Sequence, residues 1–182
     1  DYFDEAIDGN FNVTTGKRQP GSSFKPIVYA SALRDGYTPQ TVVFDVPTQF
    51  STACEADNLT SEGECYSPGN YDGKFRGPMT LRDALAQSVN IPAVKTLYLT
   101  GVRDALTLAK DLGIETLTTA NRYGLTLVLG GGEVTLLDLT GAYGVFANEG
   151  TKNPHMAILR VEDSDGNLVD EFEENPSRVL DE

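Results

Sequence analysis

A serine and a lysine three residues apart, in Ser22-Ser23-Phe24-Lys25, form the sharpest chemical signal in the chain. A serine hydroxyl is a poor nucleophile at its ordinary pKa, and an adjacent uncharged amine removes that obstacle by taking its proton. Three positions along a helix bring Lys25 back beside Ser22. The amine must be desolvated, or lie near another positive group, to be neutral at operating pH. A second cluster, Ser88-Val89-Asn90, stands just before Pro92. There Ser88 has the chemistry to relay a proton, and Asn90 to hold a substrate amide or to orient Lys25 by hydrogen bonding. Both patterns are short, and each has a plainer explanation: a capping serine beside a solvent-facing lysine, and a helix end closed by small polar residues.

The elements that must position these groups are mostly helical. Phe24, Ile27, Val28 and Leu33 recur at helical spacing, which predicts a helix from about Ser22 to Arg34 with Gly36 as its stop. Pro26 requires Ser22 to stand at or just outside the helix start, since proline is tolerated only in the first turn. Thr41-Val42-Val43-Phe44 is β-branched and apolar but is followed by Pro47, which suggests an edge strand or extended arm. Residues 51–76 are rich in Gly, Asn, Asp and Ser and read as one long loop, of the kind that is often functional. Thr80 with Asp83 three residues later is an approximate capping box. Pro92 is expected to interrupt the helical pattern, with Val94–Leu99 forming a second short helix and Val102–Ile114 a third that ends at Gly113. A further helix over about Thr135–Ala147 presents Leu136, Leu139, Tyr143 and Phe146 as its apolar face, with Gly150 stopping it. Asp165 and Gly166 mark a closing hairpin.

Composition excludes several functions. With 14 Lys or Arg against 27 Asp or Glu, the 182 residues carry a formal charge of -13. No basic groove for a phosphate backbone is on offer, so nucleic acid is not expected as a partner. A hydrophobic fraction of 40% supports a core, and the lack of any run of about 18 apolar residues means that a membrane anchor must lie outside this chain. No opposed pair of carboxylates is marked out as a glycosidase would require. Gly130-Gly131-Gly132 lacks the Lys-Ser or Lys-Thr of a phosphate-binding loop and is read as permitting close backbone approach. Neither a cofactor nor a metal centre is expected, because two cysteines and the distant His155 do not supply four soft ligands. His155 reads as a surface residue. Tyr66, Tyr71, Phe75 and Arg76 either rim a peptide groove or close the long loop.

Three longer stretches change the weight of the short patterns: GKRQPGSSFKPIVYASAL, YSPGNYDGKFRGPMTLRDALAQSVNIPAV and GLTLVLGGGEVTLLDLTGAYGVFANEG. Together they resemble the transpeptidase domain of class A, bifunctional penicillin-binding proteins, in the superfamily of serine D,D-peptidases and serine β-lactamases, whose active-site motifs are S-x-x-K, S-x-N and K-T-G. The resemblance implies that Ser22 is the acylated nucleophile, Lys25 its base, Ser88 the proton shuttle to the leaving amine, and Asn90 a contact to the substrate carbonyl and to Lys25. It also implies that the Ser22 backbone N–H forms one side of an oxyanion hole. The implied activity is peptidoglycan cross-linking by acyl transfer from a stem peptide ending in D-Ala-D-Ala, on the extracytoplasmic face of the bacterial membrane, with β-lactams as inhibitors. The alternatives within the resemblance are a serine β-lactamase or penicillin sensor; outside catalysis, a scaffold or binding module of the same fold.

One departure is large: no Lys-Thr-Gly occurs in the chain. The expectation is therefore that residues 1–182 are the nucleophile-bearing part of a transpeptidase domain. They would form an α-rich portion of the α/β serine β-lactamase and D,D-peptidase-like fold, with most of the central antiparallel sheet and the K-T-G strand supplied by segments absent from this chain. That remainder, whether in the same polypeptide or a second one, is the expected partner. Cys54 and Cys65 flank a polar loop, and in a chain placed outside the cytoplasm a disulfide between them is expected, with two free thiols as the alternative.

Overall fold

A computed structural model describes residues 2–181. In chain order the strands are β1 (Lys17–Arg18), β2 (Val42–Asp45), β3 (Gly77–Thr80), β4 (Val134–Thr135), β5 (Thr151–Lys152), β6 (Arg160–Glu162), β7 (Leu168–Glu171) and β8 (Ser177–Arg178). The α-helices are α1 (Lys25–Arg34), α2 (Leu81–Ala86), α3 (Asn90–Thr100), α4 (Val102–Asp111) and α5 (Leu136–Ala147). Among the described residues every sheet is a two-stranded antiparallel ladder: β1 with β4, β2 with β3, β5 with β8 and β6 with β7. A pair of strands is marginal by itself in water, so helices carry most of the core. The chain divides into two compact units, Gln19–Leu108 with Leu117–Glu133, and the residues up to Arg18 with Ala109–Thr116 and those from Val134 onward.

The unit built on Gln19–Leu108 carries the Ser-Lys and Ser-Asn motifs. Its centre is α3, which packs against α1, β2 and a 3₁₀ turn at Leu125–Leu129. Ile91, Ala93, Val94 and Leu97 of α3, Ile27 and Val28 of α1, and Leu127 and Val128 of the turn are all fully buried. At about 25 cal/mol per Å² of apolar surface, each large member contributes roughly 1.5–3 kcal/mol.

The first helix departs from the expected continuous run over Ser22–Arg34. Gly21–Phe24 form a 3₁₀ turn, and the α-helix begins only at Lys25. The physical cause is Pro26: it has no N–H to return to the Ser22 carbonyl, and its ring would crowd that carbonyl in an α-turn. The Lys25 N–H bonds to the Ser22 carbonyl instead, which is the 3₁₀ pattern. Pro92 departs in the opposite sense. It does not interrupt a helix, because α3 starts at Asn90 and holds Pro92 in its first turn, where N–H groups have no intrahelical acceptor anyway.

Thr80 caps α2 as the capping pattern predicts: its Oγ1 accepts from the Asp83 N–H at 3.1 Å and donates to the Asp83 carboxylate at 2.6 Å. The long loop after β2 contains no helix or strand before β3, and it is held from within. Gln49 donates to the carbonyls of Asn58 (2.6 Å) and Thr60 (3.2 Å) and accepts from the N–H groups of Ser51 (3.0 Å) and Tyr66 (2.7 Å). Phe50 N–H bonds to the Tyr66 carbonyl at 2.9 Å, and Cys54 and Cys65 are joined in a disulfide. Replacing both cysteines by serine is expected to cost the loop about 3 kcal/mol on the chain-entropy account of a crosslink this short. Amide exchange at Phe50 and Tyr66 reads that loss, and unchanged protection would mean that Gln49 closes the loop unaided. Of the residues read as rimming a groove or closing the loop, Arg76 does the latter, pairing with Asp72 at 2.8 Å, while Tyr71 is fully exposed.

In the other unit α5 begins after Thr135, whose Oγ1 accepts from the Asp138 N–H at 3.0 Å. Its expected apolar face is not the buried one: Leu136 and Tyr143 are 52% and 39% exposed, Leu139 and Phe146 are partly covered, and the buried residues are Ala142 and Val145. The helix is apolar on nearly every side, so periodicity does not single out the face that packs. It ends at Ala147 as expected, and beyond it Glu149 (φ 49°) and Gly150 (φ 86°) are both left-handed, with the Gly150 N–H returning to the Val145 carbonyl. The hairpin around Asp165 and Gly166 forms as β6 and β7, with all its residues exposed. His155 is exposed as well.

Candidate active site

Lys25 is the first residue of α1 and is only 1% exposed. A buried ammonium needs an acceptor for each N–H, and three are supplied: the Ser88 carbonyl at 2.6 Å, the Asn90 Oδ1 at 2.8 Å and the Ser88 Oγ at 3.1 Å. All three are uncharged. Burial therefore acts without a compensating carboxylate in contact and pulls the Lys25 pKa down to about 8, because desolvation penalises the charged form. The structure thus brings Lys25, Ser88 and Asn90 together across more than sixty residues of chain.

Ser22 and Lys25 are the two ends of one 3₁₀ ring, closed by the Lys25 N–H and the Ser22 carbonyl. Residues three apart eclipse one another in this geometry, so the turn sets the two side chains on one edge. The Ser22 side chain is exposed, whereas the Ser23 hydroxyl donates to the Pro20 carbonyl at 2.6 Å. The Ser22 N–H belongs to the first turn, where N–H groups have no acceptor inside the helix. Gly130 shapes the approach to this turn: a Cβ built on it would overlap the N and Cα of Gly21. The triple glycine is thus a place of close backbone contact, as its sequence suggests.

Ser88 owes its direction to an unusual backbone. It follows α2 at the position where helices commonly place a left-handed glycine, and its φ is 53°. The Ser88 N–H bonds to the Leu85 carbonyl at 2.9 Å and the Val89 N–H to the Ala84 carbonyl at 3.0 Å, the paired bonds of a Schellman ending. A non-glycine residue in this region costs on the order of 1 kcal/mol or more. The reversal aims both the carbonyl and the hydroxyl of Ser88 at Lys25 and lets α3 start two residues later.

Sequence reasoning missed the residues that hold Asn90. Asn90 Nδ2 donates to the Gly69 carbonyl at 3.0 Å, and its backbone N–H donates to Asn70 Oδ1 at 3.0 Å. Asn70 donates in turn to the buried carboxylate of Asp45 at 2.7 Å. Nothing local marks these residues: Gly69-Asn70 reads as turn chemistry, and Asp45 as the end of a strand.

Chemically, the arrangement offers a buried amine whose pKa has been lowered toward neutrality, a hydroxyl and an amide in contact with it, and an exposed hydroxyl one 3₁₀ ring away in the chain. A neutral amine of this kind has the chemistry to take a proton from a serine. Residues 6–179 match the family description "Penicillin binding protein transpeptidase domain", and the chain belongs to that family. It is 38% identical over 171 residues to penicillin-binding protein 2D of Bacillus subtilis, covering 93% of this chain and 23% of that protein. It is 36% identical over 172 residues to penicillin-binding protein 1A of Pseudomonas aeruginosa, covering 93% and 20%. The crystal structure of penicillin-binding protein 1A from Haemophilus influenzae superposes with a TM-score of 0.79 at 28% identity, over 94% of this chain and 24% of that one. An imipenem acyl-enzyme of penicillin-binding protein A from Mycobacterium tuberculosis has a TM-score of 0.81 at 18% identity, over 98% and 44%, a likeness of fold. The chain therefore has the penicillin-binding transpeptidase fold, of which it forms a helix-rich portion, and it spans about a quarter or less of the curated relatives cited. No helix among the described residues is long and apolar enough to cross a membrane.

Proposed function

We propose that this chain is the nucleophile-bearing part of a peptidoglycan D,D-transpeptidase. The observation that carries the reading is Lys25: buried, hydrogen-bonded by Ser88 and Asn90, and one 3₁₀ ring from the exposed Ser22. In its neutral form Lys25 takes the Ser22 proton as Oγ attacks the carbonyl carbon of the penultimate D-Ala. The C–N bond of the terminal D-Ala then breaks, and Ser88 passes a proton to the departing amine. The resulting ester is attacked by an amine of a neighbouring strand, which restores the Ser22 hydroxyl and forms the cross-link. Asn90 holds both Lys25 and the substrate carbonyl, and the Ser22 N–H donates to the developing oxyanion. A β-lactam enters by the same attack and remains as an ester.

The reading requires a remainder of the domain that carries Lys-Thr-Gly, the second oxyanion donor and the substrate carboxylate site. The exposed Leu136, Leu137 and Tyr143 of α5 support such a partner, since a helix this apolar is otherwise left facing water. An upstream glycosyltransferase, a membrane anchor and a place on the outer face of the membrane belong to the same proposal.

Peptide mapping tests it. After the complete protein is treated with a fluorescent penicillin, the adduct is expected on Ser22 and to persist. An adduct on Ser23, or on no serine of this chain, overturns the assignment, and rapid release of hydrolysed drug makes the protein a β-lactamase instead.

A further inference from the structure

The amide of Asn70 is placed to do more than close a loop. Its Oδ1 accepts from the first two N–H groups of α3, those of Asn90 at 3.0 Å and Ile91 at 3.2 Å. Val89, at the N-cap of α3, makes no side-chain cap, so Asn70 supplies from another segment the acceptor that a capping residue normally provides. Its Nδ2 donates to Asp45 Oδ1 at 2.7 Å and to the Lys74 carbonyl at 2.8 Å. Every hydrogen-bonding position of the amide is thereby occupied. The orientation is unambiguous, because a flipped amide would set its oxygen against a carboxylate and its N–H groups against two N–H donors. Asp45 is 0% exposed, and its other oxygen accepts the Arg76 N–H at 2.9 Å.

The consequence falls on Asn90, which is gripped twice by neighbouring residues of one loop. Gly69 takes its side-chain N–H and Asn70 its backbone N–H, and with both fixed, Oδ1 is left facing Lys25 at 2.8 Å. We propose that Asn70 is a positioning residue for acylation, acting through Asn90 on Lys25, and that the buried Asp45 fixes the amide in the orientation that does so. The inference rests on the reading of Ser22 and Lys25 given above.

Acylation of the complete protein by a fluorescent penicillin tests it. Asn70→Asp is close to isosteric but has no N–H for Asp45 or the Lys74 carbonyl, and a displaced Asn90 is expected to slow acylation about 100-fold. The exchange Asp45→Asn with Asn70→Asp restores a donor facing an acceptor and leaves a carboxylate at the start of α3. It is expected to recover at least about tenfold of that loss, as coupled neighbours do. In an Asn90→Ala background Asn70→Asp is expected to cost no more than about twofold, because a residue acting through Asn90 has nothing left to act through. A purely architectural asparagine would show the full loss there.

Acylation of Asn70→Asp within about threefold of the parent, an exchange that recovers nothing, or an undiminished loss without Asn90 each overturns the proposal. Where Asn70→Asp does not melt cooperatively, the exchange variant decides alone: acylation within about tenfold of the parent supports the role, and a slower rate removes it. Peptide mapping separates the two inferences. An adduct on Ser22 with an unaffected Asn70→Asp rate removes the positioning role and leaves the nucleophile assigned, whereas an adduct elsewhere removes both.

Discussion

Replacing Lys25 by methionine in the complete protein is expected to slow acylation by a penicillin about 10³-fold, the range of a general base removed from its substrate proton. The change is close in size and removes only the amine. Charge and proton acceptance are separated by a second variant, Lys25→Arg, which keeps a cation and its donors but cannot take a proton near neutral pH. Equal losses in both variants assign Lys25 as the base; an arginine enzyme that acylates at the parental rate would reduce its role to electrostatics. The pH dependence follows from the same burial. With the Lys25 pKa drawn down to about 8, the neutral amine gains population as pH rises, so the acylation rate should climb through that region and level above it. The rise should be absent from Lys25→Met, whose residual rate has no amine to deprotonate.

Gly130→Ala is the second large effect and acts on the backbone beside Ser22, the proposed nucleophile. Gly130 has a φ of 91°, and an added Cβ would overlap the N and Cα of Gly21, which immediately precedes Ser22. Two costs combine: a left-handed residue with a side chain, about 1–2 kcal/mol, and a displacement of a main chain that cannot rotate away as a flexible side chain could. The sum is expected to be roughly 3 kcal/mol of stability, with acylation slowed about 100-fold because the Ser22 turn moves. Gly36→Ala is the matched control. Its φ is 94°, but nothing lies within 4 Å of its added Cβ, so it carries the conformational cost alone. Denaturation midpoints and acylation rates measured side by side decide the matter, and equal behaviour of the two variants would sink the close-approach explanation.

On the proposed reading, the reactivity of Ser22 draws on three features: the 3₁₀ turn that links Ser22 to Lys25, the burial that lowers the Lys25 pKa, and the close approach of Gly130 to Gly21. Ser88 adds a fourth device. A glycine at its backbone position would relieve the cost of a left-handed φ and keep the carbonyl, so what the serine adds is the hydroxyl 3.1 Å from the Lys25 amine.

Much of this was legible in the residues. Helical periodicity located α1, α2, α4 and α5, the Thr80 and Asp83 pair identified a cap, and Asp165-Gly166 announced a hairpin, because these signals are local and act within one turn of chain. The spacing of Ser22 and Lys25 showed which chemistry was available. Prolines were harder: Pro26 tightened a turn and Pro92 fell in the first turn of a helix, and only the positions of the first hydrogen bonds distinguish those outcomes from a break. The apolar residues of α5 showed that it could be buried but not on which side, since a face is defined by the partner that covers it.

What the sequence by itself determined is the inventory and its local geometry: a hydroxyl and an amine three residues apart, a serine and an asparagine at a helix junction, a glycine run, and an excess of acidic over basic residues. Tertiary structure alone decided that Lys25 is buried against Ser88 and Asn90, that Ser88 turns left-handed to reach it, and that Asn70 and Asp45, which look like ordinary loop and strand residues, hold Asn90 in place. The physical reason is that a pKa and a hydrogen-bond orientation depend on desolvation and on partners many residues away, and no periodicity within a short window encodes either.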